Sequence, residues 1–115
     1  MGGAERRQFL RVTLASAIQY RVLEEPGSVR YEGILQDIGA GGLRFTAQQP
    51  MEQGTALEVI LKLPMKDGSL TLTGEVVWAQ PLKVDTEYGV RFVELSPDAQ
   101  YELDELIQFL AKSGG

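Results

Sequence analysis

Three arginines, Arg6, Arg7 and Arg11, lie close together near the start of a chain whose formal net charge is −5. An arginine presents a planar fork of N–H donors that matches a phosphate group or the O6/N7 edge of guanine, and it can also stack on a base. Arg7 and Arg11 are four residues apart, so their side chains point the same way in a helix or in a strand. This spacing suits a ligand with two anionic or guanine-like groups. The alternative is a solvated segment that shields acidic patches such as Glu24–Glu25.

A glycine-rich segment, Gln36–Phe45, joins two predicted strands and holds the second group of candidate residues. Gly39, Gly41 and Gly42 are more glycines than a tight turn needs, so we expect a positive φ or a close approach to another group. Asp37 can accept hydrogen bonds from the turn backbone or from the N1 and N2 donors of a guanine, and successive turn N–H groups can bind an anion. Because a strand follows the glycines rather than a helix, this is not a dinucleotide-binding fingerprint. A β-bulge, or a hairpin with an aspartate-capped turn, explains the same residues without a ligand.

The composition excludes most catalytic chemistry. The 115-residue chain has no cysteine and no histidine, so it lacks a thiolate nucleophile, an imidazole base and the usual transition-metal ligands. We therefore expect neither a metal nor a cofactor. Carboxylate pairs such as Asp98 with Glu102 lie on a helix face predicted to be solvated, which makes a carboxylate-only hydrolase the weakest interpretation. The negative net charge disfavours general binding to DNA, RNA or anionic lipid.

No segment is predicted to insert into a membrane. Unbroken apolar runs such as Val59–Leu61 are far shorter than the roughly 20 residues that span a bilayer. The first residues lack the apolar core of a signal peptide, so we expect a cytoplasmic location.

Most of the chain alternates apolar and polar residues, which predicts half-buried antiparallel strands. Turn-forming residues separate these strands at 25–28, 66–69 and 81–86. Six short strands favour a closed sheet, because closure removes exposed edges. The predicted fold is therefore mainly β, a small six-stranded antiparallel β-barrel. The alternating apolar positions are Ile18, Tyr20 and Val22; Tyr31, Gly33 and Leu35; Leu57, Val59, Leu61 and Leu63; Leu70, Leu72, Val76 and Trp78; and Tyr88, Val90 and Phe92.

The hydrophobic period changes near the C-terminus, where residues 96–112 are predicted to form an α-helix. Ser96–Pro97–Asp98 is typical of a helix start, with serine as N-cap, proline at the first helical position and aspartate in the first turn. An apolar stripe is expected to pack on the barrel, with a partner-binding groove as the alternative. Tyr101 and Phe109 lie off this stripe. We thus predict a flexible arginine-bearing segment over residues 1–11 and a single domain over 12–112. The stripe consists of Ala99, Leu103, Leu106, Ile107 and Leu110.

These features together resemble the PilZ domain family over nearly the whole chain, from Glu5 to about Leu110. The resemblance implies a six-stranded barrel with a C-terminal helix that binds the bacterial second messenger cyclic di-GMP. It is carried by Arg7-x-x-x-Arg11, by Asp37-x-Gly39-x-x-Gly42, by the Trp78 strand, by the strand Tyr88-Gly89-Val90-Arg91-Phe92 and by the terminal helix.

The resemblance implies roles for the motif residues. Arg7 and Arg11 correspond to the arginines that grip the phosphates and guanine edges of the ligand. Asp37 and Gly42 correspond to the turn that closes on its other side. Arg6 stands just before the arginine motif, where the family tunes ligand stoichiometry, and an arginine there resembles members that bind an intercalated pair of ligand molecules.

Other positions carry less direct indications. Gly39 stands where the family usually has serine, and losing one hydroxyl contact is expected to cost on the order of 1 kcal/mol, or about tenfold in affinity. Trp78 has the parity of a core residue, whereas the resemblance places its ring near the rim of the ligand. Arg44 and Arg91 either add positive charge nearby or are solvated strand residues.

The leading functional hypothesis is a non-enzymatic sensor. Cyclic di-GMP would order the arginine-rich N-terminal segment against the barrel, and an unidentified protein partner would recognise the new surface. The alternative is a PilZ-like interaction module that binds no nucleotide. Gly39 favours this alternative, whereas Arg7, Arg11 and Asp37 oppose it.

Overall fold

The computed structural model describes residues 10–27 and 29–114, which form six strands and one helix. The predicted mainly β fold with a C-terminal helix is confirmed. The predicted N-terminal segment, residues 1–11, lies largely outside the described residues, and its last residue, Arg11, is the first residue of a strand. The elements are β1 (Arg11–Val22), β2 (Tyr31–Gly39), β3 (Gly42–Ala47), β4 (Ala56–Lys62), β5 (Ser69–Pro81), β6 (Thr86–Phe92) and α1 (Pro97–Gly114).

The six strands close into a barrel in the order β1-β2-β3-β6-β5-β4, and every neighbouring pair is antiparallel. The closing ladder between β1 and β4 is short, because it pairs only Gln19–Val22 with residues 57–60. The first part of β1, residues 11–18, runs beyond this ladder and pairs with β2. The N-terminal half of β1 therefore reaches the end of the barrel at which the β2–β3 hairpin turns.

Aromatic side chains fill the barrel interior next to the strands that carry the candidate residues. Tyr20, Phe45 and Tyr88 are fully buried, with ring centroids 5.0 Å apart for Tyr20 and Phe45 and 5.6 Å for Phe45 and Tyr88. The Tyr88 hydroxyl donates to the Gln49 carbonyl oxygen at 2.8 Å and accepts from the Met51 N–H at 2.9 Å. Because successive strand residues point to opposite faces, these inward rings fix the outward direction of their chain neighbours on β3 and β6.

The C-terminal helix begins as its sequence predicts. The Ser96 hydroxyl accepts a hydrogen bond from the Ala99 N–H at 3.1 Å, the arrangement of an N-cap. Leu103, Leu106, Ile107 and Leu110 of the stripe are buried and pack against the barrel, where α1 contacts β1 and β5.

The opposite face of α1 is exposed. Tyr101, which is 65% exposed, lies on this face, and Phe109, at the border of the buried stripe, is 36% exposed. Within residues 10–27 and 29–114, no helix is long and apolar enough to cross a membrane.

The packing of α1 predicts unequal effects of truncating its two faces. Leu106→Ala is expected to lower the free energy of unfolding by about 2–5 kcal/mol, because it removes a buried side chain and leaves a cavity. Tyr101→Ala should change it by less than about 0.5 kcal/mol. Equilibrium urea unfolding measures both, and equal losses would contradict the assignment of the buried face.

Candidate functional site

One carboxylate, that of Asp37, joins three strands on the outside of the barrel. Arg11 of β1 donates from Nη2 to Asp37 Oδ1 at 2.6 Å. Arg44 of β3 donates from Nε to Asp37 Oδ2 at 2.7 Å, and its Nη2 lies 2.6 Å from the same oxygen. These arginines leave Asp37 only 8% exposed. The hydrogen bonds described for Asp37 thus come from side chains of neighbouring strands rather than from the backbone of a capped turn.

The charge of Asp37 follows from competing effects. Desolvation by burial acts to raise the pKa of the Asp37 carboxyl, but hydrogen bonds from Arg44 and Arg11, with the charges of both, outweigh it and hold the pKa below its usual value. The hydrogen bond to Asp37 raises the pKa of Arg44 in turn. Asp37 is therefore an ionised carboxylate near neutral pH, held between two cations.

Irregularities in the strands aim these side chains outward. Leu35 pairs with Phe45 and Asp37 pairs with Arg44, so Gln36 is an extra residue in β2. Such a bulge shifts the alternation by one residue and is a common way to redirect a side chain beside a functional site. In a regular strand, Asp37 would face inward like Leu35, two residues before it.

A second bulge, in β5, places Trp78 on the outer face of the barrel rather than in its core. Val76 pairs with Val90 and Trp78 pairs with Gly89, so Val77 is the extra residue in β5. The parity that predicts a core position is therefore broken, and Trp78 is 38% exposed on the outer face. A Cβ at Gly89 would collide with the indole ring, so glycine lets the ring lie against the backbone of β6.

The bulges bring the outward residues into one row across five strands. Thr13 of β1 pairs with Asp37, and Asp37 pairs with Arg44. Arg44 pairs with Gly89, which pairs with Trp78. Since directly opposed outward residues are near neighbours on a sheet, this row sets a carboxylate, a guanidinium group and an indole ring side by side.

The glycine cluster serves close approach rather than an unusual backbone conformation. Positive φ occurs at Gly27, Gly54 and Gly68 among the described glycines, and not at Gly39 or Gly42. A Cβ at Gly42 would collide with the Val90 carbonyl oxygen of β6. A Cβ at Gly39 would lie 3.0 Å from the Leu10 carbonyl oxygen and 3.1 Å from Arg11 Cγ. Gly42 therefore admits the neighbouring strand, and Gly39 leaves room for the Arg11 side chain.

A shallow cleft of about 290 Å³ lies along this face. Two of the arginines that line it also have carboxylate partners at its edge: Arg44 Nη1 lies 3.2 Å from Glu87 Oε2, and Arg91 Nη2 lies 2.6 Å from Glu75 Oε1. The cleft thus combines exposed guanidinium groups, an aromatic ring and the backbone of glycines, which no side chain covers. Its lining includes Arg11, Gly42, Arg44, Trp78, Gly89 and Arg91.

The structure brings together all five of the candidate residues that it describes. Arg11, Gly42 and Trp78 line the cleft, Asp37 is bonded to Arg11, and Gly39 lies against the Arg11 side chain. Arg6 and Arg7 lie outside the described residues.

The sequence motifs do not identify all of the residues that lie at the cleft. Glu75 and Glu87 carry no motif signal, and Gly89 is named only as part of the strand Tyr88–Phe92. The sequence allows two interpretations of Arg44 and Arg91, added positive charge or solvated strand residues, and in the structure both line the cleft. Arg44 could have been identified by its position two residues after Gly42, since both then face the same side of one strand.

The described residues hold no cluster of three carboxylates that could bind a metal ion. The groups at the cleft are guanidinium groups, the carboxylates that pair with them, an indole ring and backbone amides. These groups suit a planar, anionic ligand.

Comparison with known proteins points to one family. A family model described as PilZ domain matches residues 5–111. No curated protein has a matching sequence.

Solved structures share the fold. The PilZ domain of YcgR from Escherichia coli, solved with c-di-GMP, has a TM-score of 0.72 at 18% identity, covering 95% of this chain and 94% of that chain. The motility inhibitor MotI/DgrA of Bacillus subtilis has a TM-score of 0.70 at 19% identity, covering 95% of this chain and 51% of that one. MrkH of K. pneumonia in its apo state has a TM-score of 0.72 at 16% identity, covering 91% and 50%. The chain thus spans about half of MotI/DgrA and of MrkH.

The close approach at Gly42 predicts different effects of the same substitution at adjacent glycines. Gly42→Ala is expected to destabilise the domain by about 1–3 kcal/mol, because the added methyl group forces β3 away from β6. A Cβ at Gly41 meets nothing within 4 Å, so Gly41→Ala should be neutral or slightly stabilising. Thermal unfolding of the two variants checks this, and equal melting temperatures would show that Gly42 is not needed for strand packing.

Proposed function

Because the chain belongs to the PilZ domain family, we propose that it is a non-enzymatic receptor for cyclic di-GMP and that the cleft around Arg11 is its binding site. The observation that carries the proposal is the meeting of Arg11, Asp37 and Trp78 on one face, although they come from three different strands. The complex of the YcgR PilZ domain with c-di-GMP supports the choice of ligand.

Arg11 is suited to bind the ligand. Its side chain is 46% exposed, and its described hydrogen bonding to Asp37 uses Nη2. The guanidinium group therefore has further N–H donors to offer to a phosphate oxygen or to the O6/N7 edge of a guanine. Asp37 has one described partner on each oxygen, and a carboxylate oxygen can accept a second hydrogen bond from the N1 and N2 donors of a guanine.

Trp78 is suited to stack on a base. The indole ring packs on the backbone at Gly89, which fixes its position. Trp78 remains 38% exposed and lines the cleft. Stacking of a base on an aromatic side chain contributes about 1–3 kcal/mol in nucleic-acid complexes. The proposal therefore assigns Trp78 the role of a platform at the rim of the ligand.

The proposal extends to residues and partners beyond the cleft. Arg7 would complete the phosphate clamp with Arg11, and Arg6 would contact the second molecule of an intercalated pair. Ligand binding would gather the N-terminal arginines onto the barrel, and an unidentified protein partner would recognise the resulting surface. A cytoplasmic location forms part of the same proposal.

A titration with cyclic di-GMP tests the proposal. Isothermal calorimetry should give saturable heats with a fitted stoichiometry, and Trp78, the single tryptophan of the chain, supplies a fluorescence signal at the site. Arg11→Ala and Arg7→Ala should each weaken binding by about tenfold or more, because each removes charge-assisted hydrogen bonds. Arg21→Ala is the control, since Arg21 pairs with Glu58 on β4 rather than at the cleft. Flat heats well above micromolar concentrations would overturn the proposal.

The second candidate function is an interaction module without a nucleotide ligand, and Gly39 is the residue that favours it. Any side chain introduced at position 39 would be in close contact with Arg11, because the added Cβ would lie 3.1 Å from Arg11 Cγ. Gly39→Ala introduces this Cβ without a hydroxyl group, so it is the matched control for Gly39→Ser.

If the site is a receptor site that lacks one contact, Gly39→Ser should bind cyclic di-GMP about tenfold more tightly than Gly39→Ala, because only the serine adds a hydrogen bond. Calorimetric titration of both variants measures the difference. Absence of binding in both variants and in the wild-type chain would favour the interaction module.

A further inference from the structure

Arg44 and Arg11 hold Asp37 in unequal ways. Arg44 donates from Nε at 2.7 Å to the oxygen that also lies 2.6 Å from its Nη2, and its Nη1 lies 3.2 Å from Glu87 Oε2. Arg44 is thus fixed by carboxylates on both sides. The described hydrogen bonding of Arg11 to Asp37 is a single N–H donation to the other oxygen. Arg11 is therefore the more easily detached of the two cations.

A ligand that bonds to the Arg11 Nη2 group competes with Asp37 for this donor, whereas a ligand bonded to the other N–H groups of Arg11 does not. If the Arg11 guanidinium turns to a phosphate or guanine, Asp37 loses the partner of its Oδ1. A largely buried carboxylate that loses its cationic partners becomes costly to keep ionised. Arg44 can prevent this, because its contacts with Asp37 do not involve Arg11.

We propose that Arg44, which lies outside both sequence motifs, is the positioning residue of the cleft: it keeps Asp37 ionised and in place while Arg11 engages the anionic ligand. This inference rests on the proposed function, because it concerns the same ligand. Arg44 acts through Asp37, and a lysine could not reproduce its guanidinium group, which reaches Asp37 Oδ2 with Nε and Nη2 and Glu87 with Nη1.

The charged groups that face Asp37 make its protonation depend on Arg44. Arg11 faces it from β1 and Arg44 from β3, while Glu87 of β6 faces Arg44 from the other side. The pair of Arg91 with Glu75 lies further along the cleft. Without Arg44, the pKa of Asp37 should rise, because burial acts to raise it and one of the two opposing cations is gone.

The expected consequence is a change in the pH dependence of binding. A site that needs an ionised Asp37 loses affinity as the pH falls through the pKa of that carboxyl. In the wild-type chain this pKa is held below the usual range, so affinity should change little between about pH 7 and pH 5. With the pKa raised by Arg44→Gln, the loss should begin at higher pH.

The experiment compares Arg44→Gln, Arg44→Lys and the control Arg21→Gln, which breaks a cross-strand ion pair with Glu58 away from the cleft. Carbon-detected NMR measures the pKa of Asp37 in each ligand-free protein. Calorimetry measures cyclic di-GMP affinity near pH 7 and near pH 5. Arg44→Gln should raise the pKa, lower the affinity near pH 7 by about tenfold and lower it further near pH 5. Arg44→Lys should recover part of both effects, and Arg21→Gln should match the wild-type chain.

The outcomes separate this inference from the proposed function. A wild-type chain that does not bind cyclic di-GMP overturns the proposed function. Wild-type binding together with an Arg44→Gln variant of equal affinity and equal pH profile overturns only the role of Arg44. An Arg44→Gln variant that binds weakly but keeps the wild-type pKa of Asp37 and the wild-type pH profile also overturns it, because Arg44 would then be a direct ligand contact. If Arg44→Gln does not fold, the same comparison of pKa and pH profile applies to Arg44→Lys.

Discussion

The outer face of the barrel is organised around one buried carboxylate with two cationic partners. Asp37 links β2 to β1 through Arg11 and to β3 through Arg44. A carboxylate removed from water needs such partners, and two guanidinium groups held close together need a negative charge between them. The interaction therefore fixes the direction of both arginines at once. The cleft that they line is a consequence of this mutual requirement.

Sequence patterns predicted the elements of the fold but not the faces of the residues that matter most. Alternation located five of the six strands, and the position after the glycines located β3. Ser96 with the apolar stripe located the helix and its buried side. The outward positions of Asp37 and Trp78 depend on one extra residue in β2 and one in β5. Parity reverses at such a residue, and nothing about Gln36 or Val77 marks it in the sequence. This is why Trp78 was open to two interpretations.

The site was predictable as a list of motif residues and less so as a geometry. The match of residues 5–111 to the PilZ model agrees with the resemblance seen in the sequence. The partnership of Arg44 with Asp37 joins residues of the same hairpin, yet its geometry follows from the bulge between them. The positions of Gly89, Glu75 and Glu87 beside the cleft follow from pairing among β3, β5 and β6. The register between strands that are distant in the sequence cannot be predicted from any short segment. The glycines near Asp37 show a similar limit of sequence-based prediction. Glycine is favoured both where φ is positive and where another group packs closely, so the residue type alone does not distinguish the two.

The short closing ladder leaves part of one strand edge without a neighbouring strand. Among the described residues, β4 pairs with β1 only over Gln19–Val22, and α1 lies where the ladder ends, with Leu106 and Leu110 close to Leu14. An uncovered strand edge is a template for pairing with another chain. The helix thus does more than fill a core: it shields the edge of β1 from strand addition. A domain that lost α1 would be at risk of edge-to-edge self-association, so the helix protects solubility as well as stability.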